Sequence, residues 1–173
     1  MGNIILVGMP GAGKSTIGRS AARRLEMPFF DSDKELIART GVSVATIFEI
    51  EGEAGFRARE SALLAELAEK DGAVIATGGG AILAPANRTL FREHGTVIYL
   101  CASIEDLLRR TQRDVNRPLL RTGNPRATLQ ALFDVRDPLY RECAHLVVDT
   151  GTQSVSRLVS DLLRRLGRST SAA

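Results

Sequence analysis

The feature that most constrains this chain is Gly8-Met9-Pro10-Gly11-Ala12-Gly13-Lys14-Ser15-Thr16, spaced G-x-x-x-x-G-K-[ST] and preceded by the apolar run Ile4-Ile5-Leu6-Val7. A short buried strand, a glycine-rich turn and a helix opening at Lys14 form the context in which this spacing works as a phosphate cradle. Glycines let the backbone curl until successive N–H groups point inward, and the helix that follows adds the positive end of its dipole. Gly11, Ala12 and Gly13 would line that cradle. Lys14 would reach the β- and γ-phosphates as a point charge, the Ser15 hydroxyl would complete a magnesium shell, and Thr16 would lie near the α-phosphate. The bland alternative is a strand-to-helix turn that binds nothing.

Downstream, Ile17, Ala21, Ala22 and Leu25 recur at helical spacing, predicting a helix over 14–25 that Pro28 ends. Phe29-Phe30 reads as a very short strand delivering Asp31-Ser32-Asp33 at its carboxyl end, the edge where open parallel sheets bind ligands. Taken as extended, the segment is expected to turn its two carboxylates to opposite sides, Asp31 toward a metal shell and Asp33 toward an acceptor. Alternatively, Asp33 caps a helix over 34–40. Ser43 opens a short helix with Val44, Ile47, Phe48 and Ile50. The acidic stretch Glu49–Glu53 follows, then a longer helix with Phe56, Leu63, Leu64 and Leu67 on its apolar face. Arg57 and Glu60 are three residues apart on that helix, as a braced pair or as a solvated surface contact.

Ala73–Ala76 is a third strand ending in Thr77-Gly78-Gly79-Gly80-Ala81. Three consecutive glycines there suggest a ligand lying too close to the backbone for any side chain, or else a flexible loop. Pro85 starts a helix, Thr96–Leu100 is a fourth strand, and Ser103 caps a helix to about Thr111. Residues 112–124 break the apolar periodicity and read as a lid. A helix over 125–142 is expected to kink at Pro138. Leu146–Val148 is a fifth strand, Val155, Leu158, Val159, Leu162 and Leu163 mark a closing helix, and Gly167–Ala173 reads as a disordered tail. The alternation predicts an α/β fold of P-loop NTPase type: a five-stranded parallel sheet with helices on both faces, plus a lid, in one domain over 1–166.

With 173 residues, 44% of them hydrophobic, the chain supports one core. No apolar stretch is long enough to cross a bilayer, and the first strand begins almost at the amino terminus, leaving no room for a signal peptide; the expectation is a cytoplasmic protein. Cys101 and Cys143 lack metal-ligand spacing, and His94 and His145 are isolated. Net charge is +3, with Lys14, Lys34 and Lys70 the only lysines. Arg109, Arg110, Arg113, Arg117, Arg121, Arg126, Arg136 and Arg141 crowd into one third of the chain, which suggests an anionic partner unless it reflects genome composition alone. The absence of Trp and the scarcity of other aromatics argue against nucleic acid and for a nucleotide with a small acid.

Taken together and in order, GMPGAGKST, DSD, FRARE, TGGGA, RPLL and RDPLY resemble the shikimate kinase family over residues 1–165. The resemblance implies ATP on the loop from Gly11 through Thr16, with Arg110 and Gln153 at the adenine and Arg117 closing from the lid. It implies Mg²⁺ on Ser15 and Asp31, and catalytic roles for Lys14, Asp33 and Arg117. Shikimate would be held in a helical region spanning 33–60 and beyond: Asp33 on the ring hydroxyls, Arg57 and Arg136 on the carboxylate, and Gly78, Gly79 and Gly80 along the ring. Phe48 and Phe56 would lie on its apolar side, with Glu60 beside Arg57. The implied protein is a monomer with no nucleic-acid or membrane partner. Two alternatives stay open: another small kinase, for gluconate or a nucleoside monophosphate, and a nucleotide-dependent switch.

Overall fold

A computed structural model describes residues 2–112 and 123–168 of the chain. Its five strands are β1 (Asn3–Val7), β2 (Phe29–Asp31), β3 (Val74–Ala76), β4 (Gly95–Cys101) and β5 (Leu146–Asp149). They form one parallel sheet in the order β2-β3-β1-β4-β5. All five residues of β1 are buried, the signature of a central strand covered on both faces. At one edge β2 is only three residues long and half-buried.

The helices are α1 (Lys14–Leu25), α2 (Ser32–Thr40), α3 (Val44–Ala68), α4 (Pro85–His94), α5 (Ile104–Thr111), α6 (Pro125–Cys143) and α7 (Val155–Arg165). Because crossovers between parallel strands are right-handed, the step from β1 outward to β2 puts α1 on one face. The returning steps through β3 to β4 and β5 put α3, α4 and α6 on the other. The packing agrees: α1 lies against α7, whereas α4 touches both α3 and α6.

The short helix and the longer one that follows it form one element, α3, interrupted at Gly52 (φ 74°, ψ 178°). That backbone conformation is the reason for glycine, since a β-carbon there would meet nothing within 4 Å. The break lets Phe48 and Phe56 stack, ring centroids 4.6 Å apart.

Several expectations need correction. Asp31 ends β2 and is itself the cap of α2, its carboxylate accepting from the N–H groups of Asp33 and Lys34. Asp33 therefore sits in a helix, not on a strand. On a strand, residues two apart share a face, so the strand-to-helix change after Asp31 is what separates the two carboxylates. The glycines after β3 are not an open loop, because Gly79–Leu83 form a 3-10 helix. Helix α6 carries Pro138 in its interior and ends at Cys143, one residue past the expected end. The tail does not begin at Gly167: the N–H groups of Gly167 and Arg168 bond back onto α7, and Arg168 Nη2 donates to Gly2 O at 3.3 Å. The lid segment, including Arg117, and residues 169–173 lie outside the described residues.

Candidate active site

The carboxyl ends of the strands bring two groups of residues together, one on each side of Pro10. The first is the loop after β1. Gly13 (φ 96°) caps α1 with no side chain over the helix end, which leaves the first N–H groups of α1 to an anion. Lys14 is buried and donates from Nζ to Gly8 O (2.6 Å) and Met9 O (2.9 Å), so its charge is held within its own loop. One position on, the Ser15 hydroxyl donates to Asp31 Oδ2 at 2.5 Å. A hydroxyl and a carboxylate in direct contact beside a phosphate cradle are hard oxygen donors suited to Mg²⁺, which uses one or two protein ligands and keeps water and phosphate oxygens for the rest. Among the described residues no cluster of three or more His, Cys, Asp or Glu could hold a metal without such help.

At the loop's outer side, a β-carbon on Gly11 would fall 2.8 Å from Thr111 Cγ2, so α5 presses directly on the loop. Arg110 joins the loop to the turn after β5, donating to Gly11 O (3.2 Å) and to Thr150 O (3.0 Å). Gln153 is exposed on that same turn, and Thr16 is exposed on α1.

The second group comes from α2, α3, α6 and the turn after β3. A β-carbon on Gly78 would fall 2.8 Å from Glu60 Oε2 and 2.9 Å from Asp33 Oδ1. On Gly79 it would fall 2.8 Å from Pro10 Cδ and 3.3 Å from Arg136 Nη1, and on Gly80 it would overlap the Arg57 guanidinium. The three glycines are thus the floor over which Asp33, Arg57, Glu60 and Arg136 meet. Pro10 belongs to the phosphate loop, so the two groups adjoin.

Arg57 and Glu60 are not a solvated pair. Glu60 is 0% exposed, and its Oε1 accepts from Arg57 Nη1 at 2.9 Å. Burial pushes the Glu60 carboxyl up from its ordinary value; Arg57 opposes the rise, and the Asp33 charge adds to it. Among the described residues, neither Glu60 Oε2 nor Arg57 Nε has a hydrogen-bond partner. Buried polar atoms are rarely left so: Arg57 Nε has the Glu53 carboxylate at 3.7 Å, beyond hydrogen-bond distance, whereas Glu60 Oε2 lies beside Gly78, on the side a polar ligand over the glycines would occupy. The Arg57 guanidinium lies 5.9 Å from the Phe48 ring centre and 5.1 Å from that of Phe56, so the aromatic pair forms a wall behind it. Arg136 is buried, projecting from α6.

Several arginines of the cluster serve local contacts instead. Arg109 pairs with Asp106, Arg126 with Glu105 and Arg141 with Asp137, all arginines on the exposed surface. Conversely, the sequence reading missed two hydroxyls that hold the glycine turn. Ser32, fully buried in the DSD segment, accepts from the Gly78 N–H at 3.1 Å. Tyr140, in the RDPLY segment, donates to Gly79 O at 2.5 Å. Each lies beside a residue already singled out, one position from Asp33 and one helical turn from Arg136, and that adjacency was the available signal.

The shikimate kinase family model matches residues 10–167. A shikimate kinase of Burkholderia pseudomallei strain 1710b is 58% identical over 164 residues, covering 95% of this chain and 89% of the relative. One from Thioalkalivibrio sulfidiphilus is 59% identical over 162 residues, 94% of this chain and 85% of the relative. Among solved structures, shikimate kinase from Acinetobacter baumannii in complex with shikimate superposes with a TM-score of 0.93 at 46% identity, covering 96% of this chain and 93% of that one. With a phosphate loop and a pocket of arginines and carboxylates side by side at the carboxyl edge of a parallel sheet, and with these relatives, the chain belongs to the shikimate kinase family.

Proposed function

We propose that this protein transfers the γ-phosphoryl group of ATP to the 3-hydroxyl of shikimate, giving shikimate 3-phosphate and ADP. The observation that carries the reading is the convergence of Asp33, Arg57, Glu60 and Arg136 on Gly78–Gly80, with Gly79 packed against Pro10 of the phosphate loop. An acid-selective pocket that touches a phosphate cradle is what in-line transfer to a carboxylated alcohol requires.

Arg57 and Arg136 bind the substrate carboxylate. A planar guanidinium offers two parallel donors, so it orients the ring as well as attracting the charge. Glu60 holds Arg57 in place through the 2.9 Å contact. Asp33, from the first turn of α2, takes the ring hydroxyls and aligns the one that attacks; it also accepts the proton as the bond to phosphorus forms. Lys14 exchanges the carbonyls of Gly8 and Met9 for the β- and γ-phosphates, neutralising charge on the moving group. Ser15 and Asp31 would hold Mg²⁺, which supplies further neutralisation of the phosphates when bound. Arg110 and the turn carrying Gln153 flank the adenine, and Arg117 is assigned to the phosphates.

The test is ADP release by the full chain with ATP and Mg²⁺, with and without shikimate. Release that depends on shikimate supports the reading. Activity on gluconate or a nucleoside monophosphate with none on shikimate, or slow hydrolysis that no alcohol changes, overturns it.

A further inference from the structure

The glycine turn that floors the acid pocket has few atoms with which to fix itself, since Gly78, Gly79 and Gly80 carry no side chains of their own. One of its fixings comes from outside the pocket. Tyr140 is 1% exposed, and its hydroxyl donates to Gly79 O at 2.5 Å. The same hydroxyl lies 4.0 Å from Met9 Sδ of the phosphate loop. Its ring stacks on Tyr99, with centroids 4.9 Å apart. Arg136 is four residues earlier on α6, so the two side chains leave the helix on the same face one turn apart. We propose that Tyr140 is a positioning residue for the acid substrate: by holding the Gly79 carbonyl against α6, it fixes the orientation of the Gly79–Gly80 peptide beside Arg57 and Arg136.

The geometry follows from the planarity of the peptide. In a trans peptide the C=O and the following N–H point in opposite directions. A Gly79 carbonyl tied to α6 therefore commits the Gly80 N–H to the opposite side. The peptide opens the 3-10 helix Gly79–Leu83, whose hydrogen-bond geometry is poorer than that of an α-helix, and with glycine on both sides it has little steric restraint of its own against tilting once the hydroxyl is removed. Burial pushes the Tyr140 phenol up from its ordinary value, so it remains protonated and able to donate across the working pH range. Arg136 and Tyr140 also stand one turn apart on helix α6, so the carboxylate-binding guanidinium and the peptide beside it are held from the same element.

Tyr99 provides a matched control. It is also 1% exposed, but its hydroxyl donates to Asp137 Oδ1 at 2.6 Å and does not touch the glycine turn. The inference rests on the proposed function, and the experiment separates the two. Tyr140→Phe and Tyr99→Phe each delete one buried hydroxyl and keep the ring stack. In the full-length chain, Tyr140→Phe is expected to raise the shikimate KM and the shikimate dissociation constant about fivefold, with the ATP KM within twofold of the parent. Tyr99→Phe is expected to leave shikimate binding within twofold while lowering the melting temperature by a similar amount. Shikimate constants that stay within twofold in Tyr140→Phe, or that shift equally in both variants, overturn the positioning role while leaving the kinase reading intact. A parent chain that binds no shikimate overturns both.

Discussion

The two halves of the site are built on opposite plans. The phosphate loop is nine consecutive residues whose binding groups are mostly backbone N–H, and its one lysine is satisfied by its own carbonyls. The acid pocket draws on residues 33, 57, 60, 78–80 and 136 and buries Glu60 and Arg136, with Asp33 and Arg57 half-buried beside them. The first half is cheap to form, because an empty cradle leaves water to its N–H groups. The second carries an electrostatic cost, because the fully buried Glu60 has no hydrogen-bond partner at Oε2 among the described residues, while Arg57 Nε has only the Glu53 carboxylate at 3.7 Å, beyond hydrogen-bond distance. A ligand's own polar groups can relieve that cost, so selectivity should reside in the pocket and turnover in the loop.

Lys14→Ala is the strongest test of that division. Losing a cation aimed at charge developing on the moving phosphoryl group is expected to lower kcat on the order of a hundredfold to a thousandfold. Steady-state kinetics should show the shikimate KM within about threefold of the parent. A large rise in that KM with kcat preserved would break the comparison. Arg136→Ala is its counterpart in the pocket. Deleting a hydrogen bond to a charged group, at about 1.5–3 kcal/mol, implies a shikimate KM raised roughly tenfold to a hundredfold. Arg136→Lys should recover only part of this, since a point charge cannot reproduce the planar fork. An unchanged shikimate KM in Arg136→Ala would remove the carboxylate assignment.

The same contrast explains what could be read without coordinates. Contiguity made the loop legible, and helix α1 begins at Lys14 and ends at Leu25 as the apolar spacing requires. The five parallel strands were equally visible, because each is a short apolar run bounded by turn residues. Pieces of the acid pocket are legible on their own, in Asp33 just past a strand end, in the triple glycine and in the crowded arginines, but that Arg57 and Arg136 meet over the glycines comes only through the family resemblance. Physical reading of Arg57 and Glu60 left a surface pair open, since spacing on one helix does not reveal what other helices cover it. The cap falls at Asp31 rather than Asp33 because two hydrogen bonds to one carboxylate oxygen start the helix directly at the end of a three-residue strand, and spacing alone does not register them. Ser32 and Tyr140 escaped notice because a hydroxyl acting on a backbone group needs no spacing pattern.

Gly52 tests whether the pocket's aromatic wall depends on the break in α3. At φ 74° and ψ 178° Gly52 occupies a region essentially reserved for glycine, where a β-carbon costs about 1–3 kcal/mol, and no neighbour would be displaced to complicate the result. Gly52→Ala should therefore lower stability in urea titration by about that amount. Because Phe48 and Phe56 lie on either side of the break, a modest rise in shikimate KM should accompany the loss, with the ATP KM unaffected. A change confined to ATP would place the break in the wrong half of the site.

The smallest expected effect reads the electrostatic cost of the pocket directly. Burial raises the Glu60 carboxyl above its ordinary value near 4.5, with Arg57 opposing. The folded chain then binds this proton more tightly than the unfolded chain does. Stability from this group is full at low pH and falls as pH rises from about 4.5 through the raised value. Exposed carboxylates such as Glu51, Glu66 and Glu105, lowered mainly by hydrogen bonds from Arg59, Arg39 and Arg126, act with the opposite sign, so the parent's profile alone does not isolate Glu60. Subtraction does. Glu60→Gln removes the titration and adds a pH-independent offset from the Arg57 contact it weakens. The melting-temperature difference, parent minus variant, measured on the unliganded chain between pH 4 and 7, should therefore decline as pH rises. A flat difference would mean that Glu60 sits in the pocket at no cost, and the contrast between a cheap loop and a costly pocket would lose its physical basis.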